Sequence, residues 1–239
     1  MVKKAAEFAR KVHEGKLRKG SMVPYIVHPF EAAVIVSGMT DDPEVISAAL
    51  LHDVIEDAGI SYEELKMQFG SRVADLVLAE SEDKSRTWKE RKSATIEKLR
   101  SAGRAEKLIC LGDKLSNLRS TAADMLLRGD GVWQKFRVTD KNEHAWYYRG
   151  VFEQLGELKE ELAYQESVSL LHRIFDQEEE KTNEKTEEIF TGSRRPVPGR
   201  DRNGGRLLSS LCGRSHGGRL QGPISMAAAG QIWQRIIHM

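Results

Sequence analysis

The stretch "ISAALLHDVIED", residues 46–57, decides how the chain is read. An uncharged run leads straight into His52, Asp53, Glu56 and Asp57. A run of this kind is expected to be buried, and a buried carboxylate without a partner costs several kcal/mol or gives up its charge. Four ionisable groups at its end therefore call for a compensating charge, and a cation is the simplest. On a helix, His52 and Asp53 are about 100° apart, and Glu56 and Asp57 repeat that pair one turn later. His52 is then stacked with Glu56, and Asp53 with Asp57. One pair can hold a cation while the other faces whatever the cation activates.

Two further positions suit such an ion. His28 precedes Pro29 at a helix entrance, and Asp113 stands alone among apolar residues in "LICLGDKLSNL", residues 108–118. Two imidazoles and two carboxylates suit Mn²⁺, Fe²⁺ or Zn²⁺ better than Ca²⁺ and leave room for water. An ion of that kind would lower the pKa of the water and supply hydroxide near neutral pH. Asn117, four residues after Asp113, shares its helical face and could position a ligand. Each feature alone has a plainer reading. An Asp beside a His is common at helix ends, His28 could be a satisfied loop histidine, and Glu56 with Asp57 could be a solvated last turn. Carboxylates there oppose the helix dipole, however, and it is the combination that points to a site.

Outward from this stretch, the chain to about residue 175 reads as helix after helix. "KKAAEFARKVHEG" (3–15) puts Ala5, Phe8, Ala9 and Val12 on one face, and a basic loop punctuated by Gly and Pro follows. A second helix starts near His28–Pro29, and Asp42 caps a third with Pro43 in its first turn. Ser61 and Glu64 match a capping box. Further helices are expected over 71–80, 87–102, 105–126, 142–163 as one unbroken helix, and near 166–175. No strand-like alternation and no repeat occur, so the fold class is all-α.

Composition narrows the function. At 239 residues and 40% hydrophobic content, the chain fits one domain with an appendage. No apolar stretch is long enough to span a membrane, the N-terminus is unlike a signal peptide, and Cys110 and Cys212 form no disulfide or metal pattern. A cytoplasmic protein is expected. The net charge of +1 hides an asymmetry, because residues 191–239 hold eight Arg and one Asp. The rest is net acidic, with no stripe for nucleic acid. Residues 176–239 read as a charged linker followed by a Gly/Arg-rich disordered tail.

The motifs "HP" (28–29), "HDVIED" (52–57) and "GDKLSNL" (112–118) together resemble the HD-domain hydrolases of the RelA/SpoT group, most closely the short, hydrolase-only alarmone hydrolases. The likeness runs from about residue 8 to about residue 175 and includes "HEGKLRKG", "PYIVHP", "EDKS", "ERK" and "HAWYYR". It implies an all-α HD fold over residues 1–175, with His28, His52, Asp53 and Asp113 binding one Mn²⁺. It also implies that Glu56 and Asp57 orient the attacking water and handle protons, and that Arg18, Lys19 and Asn117 contact a guanine nucleotide. The implied activity removes pyrophosphate from the 3′ position of guanosine tetra- or pentaphosphate, leaving GDP or GTP. Some relatives act on NADPH. Bifunctional relatives continue into a nucleotidyl-transferase domain, which nothing after residue 175 resembles.

The residues themselves are compatible with that chemistry. Lys16, Arg18 and Lys19 offer a cationic clamp for a diphosphate in an otherwise acidic body, although three cations near a turn are also an ordinary solvated loop. An HD phosphohydrolase of another nucleotide, or a nucleotide sensor without turnover, shares the metal motif. The acidic pair argues against the sensor. The aromatic group at residues 146–149 and Cys110 read as core.

Overall fold

The computed structural model describes residues 1–176, and among them there are ten α-helices, two 3₁₀ segments and no strand. The helices are α1 (Val2–Val12), α2 (Val27–Ser37), α3 (Pro43–Leu51), α4 (Val54–Ala58), α5 (Tyr62–Phe69), α6 (Ser71–Glu80), α7 (Trp88–Ser101), α8 (Arg104–Arg128), α9 (Lys141–Gln154) and α10 (Leu162–Phe175). The all-α class is as expected. The tail expected to be disordered lies outside the described residues. None of the described helices is long and apolar enough to cross a membrane.

Local chemistry sets several helix starts. Asp42 accepts from the Glu44 amide with Pro43 in the first turn, and Thr87 forms a reciprocal capping box with Glu90. At α5 only half of the expected box forms. Ser61 accepts from the Glu64 amide, while the Glu64 carboxylate accepts from Gln68 instead.

Two expected helices are broken. "HDVIED" is not continuous with α3, because His52 and Asp53 form a turn between α3 and α4. There His52 Nδ1 takes the Ala49 carbonyl at 2.8 Å, and Asp53 moves to φ −96°, ψ −4°. The expected stacking of Asp53 with Asp57 survives, since the Asp57 amide still donates to the Asp53 carbonyl at 2.8 Å. The helix expected over 142–163 ends at Gln154 and restarts at Leu162. The intervening 3₁₀ turn buries both Leu155 and Leu158 while α10 folds back along α8. Packing of two leucines into one cluster overrides the local helical pattern.

Two apolar clusters form the core. One gathers α1 to α6, including Ala9, Val36, Leu51, Leu65 and Val77. The other gathers α7 to α10, including Leu111, Leu118, Trp133, Val151 and Ile174. Helix α8, about 38 Å long at 1.5 Å per residue, serves both, giving Ile109 to the first and Leu108, Cys110 and Leu111 to the second. Gly112 fixes how closely α8 approaches α2. A Cβ at Gly112 would sit 2.8 Å from the Ala32 carbonyl oxygen and from Val36 Cγ2. That near-contact of backbones carries Asp113 against His28, one turn before Ala32.

Candidate metal centre

The two histidines are buried, each 3% exposed, and their Nε2 atoms lie 3.2 Å apart. Asp113 Oδ1 is 3.2 Å from His28 Nε2 and 3.8 Å from His52 Nε2. Asp53 Oδ2 approaches from the more open side, 3.0 Å from His52 Nε2 and 3.5 Å from His28 Nε2. Ligand atoms of His28, His52 and Asp113 all fall within 4.8 Å of one another.

Hydrogen-bond direction shows what this arrangement wants. His52 Nδ1 faces the Ala49 carbonyl, which only accepts, so Nδ1 carries the proton and Nε2 of the neutral ring is a bare lone pair. That lone pair points at a second imidazole and two carboxylates, an assembly of acceptors that needs a positive charge at its centre. Burial alone would lower the His52 pKa. The Asp53 and Asp113 carboxylates outweigh it and push the ring up to about 10. Burial likewise would raise the two carboxyls, but His52 beside Asp53, and Lys114 with His28 beside Asp113, hold both below the usual carboxylate range. A divalent cation relieves the same demand as that proton. His28, His52 and Asp113 thus fit a divalent-metal site, with imidazole and carboxylate donors of the mixed kind that transition metals take.

Around the cluster lies a rim of partners. Tyr25 Oη donates to Asp53 Oδ2 at 2.5 Å and lies 3.1 Å from Asp57 Oδ2. Burial and the Asp53 carboxylate keep that phenol protonated. Lys84 Nζ donates to the Glu56 carbonyl at 2.5 Å and reaches Asp57 Oδ1 at 3.1 Å and Glu56 Oε1 at 3.7 Å. Both Asp57 oxygens are therefore engaged, whereas Glu56 is held loosely. Burial, followed by the nearby Glu82 carboxylate, raises the Glu56 pKa.

Asn117 joins the basic loop to the cluster. Its Nδ2 donates to Asp113 Oδ1 at 2.6 Å, and its Oδ1 accepts from Arg18 Nη2 at 3.0 Å. Lys16 Nζ donates to the Asp57 carbonyl at 2.7 Å, so it braces α4. Lys19 is exposed and is not drawn into the network. Spacing along the chain gave no signal for Tyr25 or Lys84, whose only mark was membership of the "PYIVHP" and "EDKS" blocks. Tyr147 and Cys110 are buried core residues, as expected.

Beside Lys114, a cavity of about 250 Å³ opens between α6, α7 and α8. Glu80 lines it, and burial raises this carboxyl to about 7 against the opposing pull of Lys114.

A family model described as HD domain matches residues 5–135. The chain belongs to the HD-domain family. Among curated proteins it is 38% identical over 122 residues to the guanosine-3′,5′-bis(diphosphate) 3′-pyrophosphohydrolase of Xenopus tropicalis, covering 50% of this chain and 68% of that protein. To the human protein of the same name it is 37% identical over 145 residues, covering 59% and 78%. It matches only 17% of the length of the like-named Vibrio cholerae protein, at 41% identity over 48% of this chain. Among solved structures, a Listeria monocytogenes protein superposes with a TM-score of 0.58 at 32% identity, covering 62% of this chain and 98% of the other. A metazoan ortholog of SpoT that hydrolyses ppGpp gives 0.59 at 28% identity, with 72% and 93% covered. The HD-domain match spans α2 to α8 whole, and so every residue of the cluster; α9 and α10 lie beyond it.

Proposed function

We propose that this HD domain removes the 3′ pyrophosphate of guanosine tetra- or pentaphosphate, releasing GDP or GTP and pyrophosphate, with one Mn²⁺ held by His28, His52, Asp53 and Asp113. The observation that carries the reading is the convergence of two imidazole nitrogens and two carboxylates on one point, within a chain whose relatives bear that activity in their names. Fe²⁺ or Zn²⁺ suits the same donors. Such an ion supplies Lewis acidity and makes water a usable nucleophile near neutral pH.

The chain's own groups divide the remaining work. Water adds to the phosphorus next to the 3′ oxygen, the bond from that phosphorus to the 3′ oxygen breaks, and the leaving oxygen takes a proton. Glu56, with its raised carboxyl and no tight partner, is suited to carry that proton. Asp57, tied by Tyr25 and Lys84, is suited to hold position. Arg18, steadied by Asn117, faces the nucleotide with a guanidinium that can stack on a purine or pair with phosphate. Lys19 adds charge from the exposed edge of the same loop.

The test is a panel of nucleotides, including guanosine tetraphosphate, NADPH and nucleoside monophosphates, incubated with purified protein and Mn²⁺ and resolved by chromatography. Guanosine tetraphosphate should yield GDP and pyrophosphate fastest. Faster turnover of NADPH or a monophosphate would assign the site to another phosphate ester, and no turnover of any would leave a sensor.

A further inference from the structure

We propose that Ser116 and Glu31 are positioning residues that set the tautomer of His28, so that its Nε2 is presented bare to the metal. The inference rests on the metal centre proposed above and extends it to two residues outside the ligand set. His28 Nδ1 lies 2.8 Å from Ser116 Oγ, and Ser116 Oγ lies 2.8 Å from Glu31 Oε2. A serine has one hydroxyl proton. A carboxylate only accepts, so that proton goes to Glu31, and Ser116 must accept from His28. Nδ1 of His28 therefore carries the hydrogen, which leaves Nε2 without one.

His52 reaches the same state by another route, through the Ala49 backbone carbonyl. His28 has no such carbonyl, and its tautomer depends on side chains alone. Glu31 is in turn fixed by Arg119, whose Nη1 is 3.1 Å from Glu31 Oε1. Arg119 is anchored by a two-pronged contact with Glu166 of α10, at 2.7 Å for both Nε and Nη2. The guanidinium occupies one Glu31 oxygen and leaves the other to take the Ser116 proton. The chain of contacts thus runs from α10, beyond the span matched by the HD-domain family, to a metal ligand on α2. A partner of this kind on the far nitrogen of a ligating histidine is worth about 10–100-fold in metal affinity.

Glu31→Gln gives the sharpest test. A Gln amide facing Arg119 must turn its oxygen to the guanidinium and its NH₂ to Ser116. The serine would then donate to His28 Nδ1 and drive the hydrogen onto Nε2. The experiment uses the full chain and two readouts: ¹⁵N NMR of the histidine rings without metal, and Mn²⁺ affinity by calorimetry. In the wild type His28 should show the Nδ1–H form. Glu31→Gln should shift it to Nε2–H, Ser116→Ala should give a mixture, and both should weaken Mn²⁺ binding about 10–100-fold. Ser116→Thr should restore both readouts. The His52 ring signals should stay as in the wild type throughout, which separates tautomer control from general loosening. An unchanged His28 tautomer in Glu31→Gln and Ser116→Ala would overturn the proposal. Failure of the wild type to bind Mn²⁺ would instead remove the metal centre, and the ring spectra would still decide the relay.

Discussion

The metal-type side chains and the basic loop facing them are supported in different ways. His28, His52 and Asp113 are each backed by a partner behind the cluster: Ser116, the Ala49 carbonyl and Asn117. Between α1 and α2, by contrast, the loop is held mainly through its backbone, by the Arg18 amide on the Val23 carbonyl, the Tyr25 amide on the Lys16 carbonyl, and Arg128 on the Gly20 carbonyl. Its Met22 is 84% exposed, and Arg18 reaches the cluster only through Asn117. The ligand side is arranged before an ion arrives, so little reorganisation opposes binding. On the loop it is the Arg18 side chain, with its single tie to Asn117, that can adjust to a nucleotide. Substitutions on the two sides should therefore fail differently.

The largest catalytic effect is expected between the two sides. Glu56→Gln should keep the metal and nucleotide affinity while kcat falls by about 10²–10⁴-fold. Steady-state kinetics with a parallel binding measurement checks this. Loss of the metal would make Glu56 a ligand and erase the division.

On the loop, Arg18→Ala should raise KM more than it lowers kcat. Loss of a charged hydrogen bond of roughly 1.5–3 kcal/mol corresponds to about 10–100-fold. A kcat loss as deep as that of Glu56→Gln, with KM unmoved, would place Arg18 in the prearranged half.

A smaller effect concerns stability. Glu80 keeps its proton up to about 7 when folded, against an ordinary value of 4.5. Between those values the folded state binds more protons than the unfolded one, so stability falls as pH rises. Glu80→Gln should remove this loss, gaining at pH 8 relative to pH 5 on the order of 1–3 kcal/mol. Denaturant curves at the two pH values measure it, and an equal gain at both would show that Glu80 is not protonated at neutral pH. Least of all should change on truncation at about residue 180. Turnover and Tm should be those of the full chain, and a large loss of either would give residues 181–239 a part in the site.

How much of this could be read from the sequence depends on where each feature is decided. Helix starts at Asp42 and Thr87 were legible or nearly so, because a cap is made by residues two or three positions away. Interruptions at His52–Asp53 and after Gln154 were not. One follows from a side chain turning back on its own helix, and the other from two leucines seeking the same core. Asp113 stood out as a carboxylate among apolar residues, His52 as part of a charged group ending an uncharged run, and His28 by its place before Pro29 at a helix entrance. Tyr25, Lys84, Glu31 and Ser116 did not, because each gains its role from a partner brought close by the packing of separate helices and loops. Close passage of α2 by Gly112 is one such cause. The resemblance to HD hydrolases carried the ligand set further than spacing alone.

The most direct test is the metal content of three proteins: the wild type, His52→Ala and Asp113→Ala, each purified, equilibrated with Mn²⁺, desalted and analysed for bound metal. His52, in the turn after α3, and Asp113, on α8, meet only at the proposed ion. The account predicts one Mn²⁺ per chain in the wild type and none in either variant, with both variants folded by circular dichroism. Stoichiometric metal retained in both variants would contradict it.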